Sequence, residues 1–276
     1  MNHPGTRAAA VERAVPVTLR ELRSKDDYAA CVRLQRDTWG REYSDVVPAS
    51  LLKVGQLVGG VSAGAFTAGE RLVGFVYGLS GIRDGRVIHW SHMLGVHPEF
   101  RDDGVGRRLK EYQRELLRGR GVEQIYWTFD PLVARNAHLN LNRLGTEVRE
   151  YVPDMYGETG SPLHSFGTDR LVVSWPVEPL AGGVLERRSE AGWRDAPLAS
   201  TRLPSEQDCE PDAPLVRIEV PPAVEGLPMP EALAWRMVTR AAFVRLLARG
   251  YRVAGFYTEG RHRCFYVLGR TKTAGR

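Results

Sequence analysis

Along the chain the spacing of apolar residues switches repeatedly between two and three-to-four, and the order of those switches predicts a mixed α/β fold. Residues 15–22 alternate as a first strand. Ser24 followed by Asp27 has the pattern of a capping box and opens a helix whose apolar positions are Tyr28, Cys31, Leu34 and Trp39. A short helical stretch over 49–58 precedes two strands, 61–67 and 72–80, joined by the turn Ala68-Gly69-Glu70-Arg71. The strand 87–96 runs into His97-Pro98, and a charged loop carrying Gly104 and Gly106 then opens a basic helix over 104–118. Val105, Leu109, Tyr112 and Leu116 share a face of that helix, and Gly119 is placed to stop it. A strand at 125–129, a helix ending at Leu144 with Gly145 as its cap, and strands near 147–152 and 171–175 close the unit.

Residues 1–14 read as a disordered lead-in to a domain over 15–176. Residues 177–213, rich in Pro, Gly, Ser and charge, read as a linker. A small β-α-β-β unit over 214–270 follows. Its strands are 215–220, 251–257 and 264–268, and its helix runs from Pro230 through Leu233, Met237, Ala241 and Val244 to a Gly250 cap. The order "helix, LLARGY, strand, turn, strand" echoes the end of the first domain, so a degenerate half-repeat is one reading. It holds no second GxG loop. Three strands and a helix make a thin domain alone, so the unit is expected to pack on the first domain or, in a homodimer, on a second subunit.

The glycine loop carries the chemistry. The first N–H groups of a helix lack intrahelical acceptors and sit at the positive end of its dipole. Gly104 and Gly106 let a ligand approach those donors without a Cβ in the way, which suits a phosphate or pyrophosphate. The pattern is neither a Walker loop nor a Rossmann fingerprint, since the third glycine position holds Leu109. A strand-to-helix turn that binds nothing is the alternative. Strand, Val96-His97-Pro98, Arg101-x-x-Gly104-x-Gly106, helix resembles the acyl-CoA loop of the GNAT acetyltransferase superfamily. The element order extends the resemblance over residues 15 to about 176, and PLVARNAHLNLNRLG is similar to the family's later motif. Within the superfamily, TFDPL followed by RNAHLNLNRLG resembles a group of acyltransferases with a C-terminal extension.

The resemblance implies a mixed, mostly antiparallel central sheet flanked by helices, with the small unit appended. It implies acetyl-CoA or another short acyl-CoA, such as succinyl-CoA, as co-substrate, and no metal. Leu94, Gly95 and Val96 would pair with the pantetheine arm, with an amide near Leu94 facing the thioester carbonyl. Arg101, Asp102, Asp103, Gly104, Val105, Gly106 and Arg107 would surround the pyrophosphate, and Asn136, with Asn140, would meet the CoA arm. Asp102 and Asp103 depart from the family pattern, because carboxylates repel an anion unless they point to water. The position of the family's thiolate-protonating tyrosine holds Leu141, and Tyr126, Tyr151 and Tyr156 remain open as substitutes.

An acceptor amine with a pKa near ~10.4 is neutral in about one molecule per thousand at pH 7, so a base is useful. His92, four residues before Val96 and on the same face by alternation, is the candidate, and the family has bases at that spacing. His89 and His97 fall on the opposite face. Asp130 reads either as a carboxylate for a substrate ammonium or as an ordinary cap, and Trp127 as pocket lining or core. The expected activity is direct acyl transfer to the amine of a small molecule or amino acid, since no cysteine lies near the loop. A CoA-binding regulatory or interaction protein that has lost chemistry is the alternative.

Composition changes this picture little. The net charge of +5 is spread along the chain with no dense basic block, so no nucleic-acid partner is expected. Cys31, Cys209 and Cys264 are odd in number and far apart, which points to a reducing compartment. No apolar run suggests a signal peptide or membrane span, so the expected location is cytoplasmic with no membrane contact.

Overall fold

The computed structural model describes residues 16–178, 192–200, 213–260 and 262–270. The predicted lead-in, Cys209 and much of the predicted linker lie outside them. The first unit contains β1 (Thr18–Glu21), α1 (Lys25–Trp39), α2 (Ala49–Leu57), β2 (Val61–Phe66), β3 (Leu72–Arg83), β4 (Arg86–Val96), α3 (Val105–Leu117), β5 (Gln124–Phe129), α4 (Ala134–Ala137), β6 (Glu147–Val152) and β7 (Arg170–Pro176). The strands form one sheet in the order β1-β2-β3-β4-β5-β7-β6. Its neighbours are antiparallel except β4 and β5, which run parallel. This is the mixed, mostly antiparallel sheet that the resemblance implies.

Local sequence accounts for most element ends. The Asp27 amide donates to Ser24 Oγ at 3.0 Å, and the Ser24 amide donates back to the Asp27 carboxylate at 3.2 Å, completing the capping box. Arg20 also donates to that carboxylate at 2.7 Å and holds it well below the usual carboxyl range. The β3–β4 hairpin extends past the predicted strand end because Asp84 and Gly85 both take positive φ, the geometry of a two-residue turn. Exposed residues 81–83 carry no apolar alternation from which that extension could be read. α4 continues into a wide π-helical turn, His138–Arg143, and Gly145 at φ 68 ends it as predicted.

A second sheet holds β8 (Leu198–Ser200), β9 (Leu215–Val220), β10 (Tyr251–Glu259) and β11 (Arg263–Arg270), in the order β10-β11-β9-β8, with α5 (Met229–Ala248) between β9 and β10. Within the 177–213 stretch, β8 pairs parallel to β9 and Trp193 is buried against Tyr257. The Trp193 ring occupies the space a Cβ at Gly255 would need, at 2.1 Å.

The second unit packs on the first through a shared core. Tyr151 of β6 stacks on Phe243 of α5, with ring centroids 5.1 Å apart. The Tyr266 hydroxyl donates to Pro131 O, and the Asn142 amide donates to Phe256 O. The apolar positions that mark α5 in the sequence are not its buried face. Leu233, Met237, Ala241 and Val244 are exposed, while Ala232, Arg236, Thr239, Phe243 and Leu246 face inward. α5 is apolar on both sides, so periodicity does not choose between them, and the inward face is centred on a paired arginine. Arg236 donates to Asp130 at 2.5 Å and to Phe166 O at 3.1 Å. Arg240 bonds both Asp169 and Asp154.

Among the described residues, replacing Arg236 with Met leaves buried Asp130 with only Arg170, at 3.7 Å, as a counter-charge. Losing one partner of a buried pair costs about 3–5 kcal/mol, so Arg236→Met should lower the urea midpoint accordingly. A loss under about 1 kcal/mol, the range of an exposed pair, would contradict this docking.

Candidate active site

β4 and β5 pair only at Ile88–Gln124, His89–Ile125 and Trp90–Tyr126. Beyond that point β4 stays with β3 as far as Val96, and β5 stays with β7 as far as Phe129. The facing edges of 91–96 and 127–129 therefore carry backbone groups with no partner strand. A register shift in β4, where Ser91 and His92 lie opposite Gly78, coincides with the parting. Gly78 is required there, since a Cβ would meet His89 Nε2 at 2.2 Å and Trp90 O at 2.7 Å.

That bulge corrects the alternation argument for His92. Leu94 and Val96 point toward α3, where a Cβ on Gly106 would meet them at 3.7 and 3.8 Å. His92 lies on the other face, its ring edge-on to Tyr77 of the α1–α2 cluster at 6.2 Å. The extra residue at the bulge shifts the phase of the strand by one. His92 still opens into the cavity formed by the parting. The ring keeps an open side to solvent, but the surrounding walls desolvate it and lower its pKa, opposed by the Asp45 carboxylate, which favours the neutral ring at pH 7.

The loop before α3 is built as an amide cradle. Gly104 takes φ 73 at the cap, and the Arg108 amide makes the first helical bond back to Gly104 O at 3.0 Å. The amides of Val105, Gly106 and Arg107 are left without helical acceptors. Arg101 Nε closes the loop onto Val96 O at 3.2 Å, Arg107 pairs with Glu111 at 2.9 Å, and Arg108 reaches Val17 O at 2.8 Å. Asp102 is exposed and Asp103 half-buried. The charged side chains are thus largely engaged or turned outward, and the donors left at the cradle are backbone.

A cavity of about 520 Å³ runs from the parted edges to the loops beyond them. Of the predicted residues, His92, Leu94, Trp127, Asp130, Asn136 and Asn140 line it, while Gly95, Val96 and the loop residues 101–107 lie outside its lining. Trp127 is largely core: its indole N–H donates to Asn140 Oδ1 at 2.9 Å and its ring packs edge-on to Trp175. Asp130 is engaged rather than free, its carboxylate accepting from the Leu132 amide at 2.8 Å in the turn after β5 and from Arg236, while the cap position of α4 itself is Val133. Of the open tyrosines only Tyr156 reaches the cavity, its hydroxyl 3.0 Å from Thr128 Oγ1. Tyr151 is bound to Asp169 and its pKa is pushed up by burial, and Tyr126 lies outside the cavity wall.

The wall also contains residues the sequence reading did not select. Trp39, Tyr43 and Asp45 come from the end of α1 and the segment after it, His164 from the β6–β7 connection and Arg170 from the start of β7. Arg170 donates to His164 Nε2 at 2.9 Å, so His164 carries its proton on Nδ1 and gives it to Thr159 Oγ1 at 2.6 Å. Burial, with Arg170 beside it, lowers the His164 pKa to about 4. Lys110 enters from α3, one turn beyond Gly106, and that spacing is the only sequence signal it had. Among the described residues no helix is long and apolar enough to cross a membrane, and no group of three or more His, Cys, Asp or Glu could hold a metal.

Residues 20–145 match the model of the acetyltransferase (GNAT) family. Similar solved structures include the ribosomal-protein-S18-alanine N-acetyltransferase from Escherichia coli, at 17% identity, covering 62% of this chain and 99% of that one with a TM-score of 0.46. A putative acetyltransferase from Salmonella typhimurium, solved with its cofactor acetyl-CoA, is 18% identical and covers 60% of this chain and 96% of its own, with a TM-score of 0.47. An aminoglycoside 6'-acetyltransferase type Ii is 20% identical and covers 59% and 99%, with a TM-score of 0.46. No curated protein matches the chain.

The crowding at Gly78 gives a direct check on the bulge. Gly78→Ala should cost about 1–3 kcal/mol in chemical unfolding, the range for overpacking. A variant as stable as the parent would show that the bulge does not need a bare backbone there.

Proposed function

We propose that the chain is an acyl-CoA-dependent N-acyltransferase that moves a short acyl group directly to the amine of a small molecule or amino acid. One observation carries this reading: β4 and β5 part beyond Trp90 and Tyr126, His92 and Leu94 on the parted strand line the cavity, and that same strand runs on through Val96 toward the amide cradle. A CoA pyrophosphate would sit on the amides of Val105, Gly106 and Arg107. Its pantetheine arm would follow the free edge of Leu94, Gly95 and Val96, with Asn136 on the opposite wall. Gly106 fits this role because a Cβ there has room in the protein, so the bare surface serves a ligand rather than packing.

In the transfer, the acceptor nitrogen attacks the thioester carbonyl, the C–S bond breaks and a thiolate leaves. His92, neutral at pH 7, takes the proton from the nitrogen. Tyr156 protonates the thiolate in the role that Leu141 cannot fill, supported by its place in the cavity wall. An amide donor near Leu94 stabilises the oxyanion. Asp45, close enough to act on both His92 and His164, replaces Asp130 as the carboxylate that meets an acceptor ammonium. Arg170 faces the same space and suits an acceptor carboxylate, which favours an amino acid. The second unit braces this site through Arg236 and Arg240. A cytoplasmic location, proposed from the three separated cysteines, agrees with the use of a thioester.

Gly106→Ala is expected to fold with undiminished stability and to weaken CoA binding at least about tenfold by calorimetry, or 1.4 kcal/mol. Unchanged affinity would remove the cradle from the account. His92→Gln should lower kcat/KM by about 10²–10⁴-fold with acetyl-CoA or succinyl-CoA and a panel of amino acids. A base acts when deprotonated and burial lowers the His92 pKa, so the parent's rate should hold through neutral pH and fall only below about 6.5. The variant should lose that acidic limb. Full turnover in the variant would remove His92 as the base.

A further inference from the structure

Lys110 is the least expected side chain in the cavity wall. It is 2% exposed, its Nζ donates to Ser91 Oγ at 2.7 Å, and it lies 3.7 Å from the centre of the Trp127 ring. Among the described residues no carboxylate pairs with it. Lysines this enclosed are normally paired. The groups behind it supply no negative charge. Ser91 Oγ donates to Gln113 Oε1 at 2.8 Å, and Gln113 Nε2 donates to His89 Nε2 at 3.0 Å. His89 must therefore carry its proton on Nδ1, which it gives to Ser80 Oγ at 3.0 Å, and Ser80 donates to Gly59 O at 2.9 Å. Every donor in this chain points away from Lys110. Ser91 consequently offers Lys110 a lone pair and nothing more, and the other hydrogens of an ammonium are left for the aromatic face and the cavity.

The position of Lys110 is equally specific. Gly106 and Lys110 lie four residues apart on the α3 face that meets β4 and β5. Gly106 belongs to the cradle end of the gap, and Lys110, through Ser91, to the apex where Trp90 and Tyr126 still pair. From Val96 back to Ser91 the strand spans roughly 17 Å at about 3.4 Å per residue. A thioester whose pyrophosphate rests on the cradle, and whose arm follows that edge, delivers its acyl end to Lys110.

We propose, resting on the acyltransferase reading above, that Lys110 is a specificity-determining residue that selects an acyl group ending in a carboxylate, a dicarboxylic monothioester such as succinyl-CoA, over a neutral group of the same length. A neutral acyl chain leaves the buried ammonium without a counter-charge. A terminal carboxylate supplies one in an enclosed site, where such pairing is strongest. Burial alone drives Lys110 well below its ordinary pKa, and the bound carboxylate holds the proton in place. The transfer is unchanged: the acyl carbon leaves sulfur for the acceptor nitrogen, and the carboxylate and Lys110 exchange no atoms.

The test compares succinyl-CoA with butyryl-CoA, which has the same four-carbon chain ending in a methyl group, by calorimetry on the full chain. The parent should bind succinyl-CoA at least about tenfold more tightly, or 1.4 kcal/mol. Lys110→Met, checked for folding by thermal unfolding, should bring that ratio close to one, and Lys110→Arg should retain it. A parent with no preference overturns the proposal, and this comparison stands even if Lys110→Met does not fold. A preference that survives in Lys110→Met also overturns it. So does a Lys110→Met variant that loses affinity or rate equally with both thioesters, since that would place Lys110 at the thioester carbonyl or in proton transfer. Absence of binding by any CoA thioester would overturn the acyltransferase reading itself, an outcome distinct from loss of selectivity alone.

Discussion

The parting of two parallel strands is the constraint around which the molecule is organised. Backbone donors and acceptors removed from water need partners, and a sheet normally provides them. Here β4 and β5 stop pairing after Trp90 and Tyr126, and the edges beyond are left for something strand-like to occupy. Each strand keeps its other neighbour, so the gap stays open without unfolding either one. The bulge at Ser91 and His92 belongs to the same event. It turns β4 away from β5 and places one histidine on each side of the sheet. His89 is locked into a buried hydrogen-bond chain, with its pKa lowered to about 3 by burial, and His92 faces the cavity.

The two walls of the gap are secured differently. On the β4 side, α3 packs Leu109 and Val105 into the core and presents Gly106 and Lys110 to the gap. On the β5 side, the second unit pins the residues that follow the strand. Arg236 neutralises Asp130 at the end of β5, and Tyr266 holds Pro131 O. Arg240 and Tyr151 converge on Asp169, next to Arg170 in the cavity wall. Ordering of that wall is thus tied to docking of α5, which gives the C-terminal unit a role in the site although it contributes no glycine loop.

Much of the frame was legible in the sequence because its signals are local. The Ser24–Asp27 box, the glycine loop, the Gly145 cap and the alternating strands need only neighbouring residues, and each appears where it was predicted. The features that failed to read depend on partners far along the chain. The sequence leaves Asp130 open between a substrate carboxylate and a cap because its partner Arg236 lies 106 positions away. The inward face of α5 is not legible because that helix is apolar on both sides and its buried centre is an arginine. Alternation put His92 on the face of Val96 because a one-residue bulge leaves no mark in the pattern. Lys110 sat unnoticed in a basic helix, where another lysine reads as solvated surface. Asp45, His164 and Arg170 lie in connections or at strand ends, where spacing carries no directional information.

Hydrogen exchange of individual amides, followed with and without acetyl-CoA, tests most directly whether the parted edge and the cradle form one binding surface. Exchange should slow together at Leu94, Gly95 and Val96 and at Val105, Gly106 and Arg107, while β2 remains unchanged. Slowing at neither segment, or uniform slowing across the domain, would contradict the account.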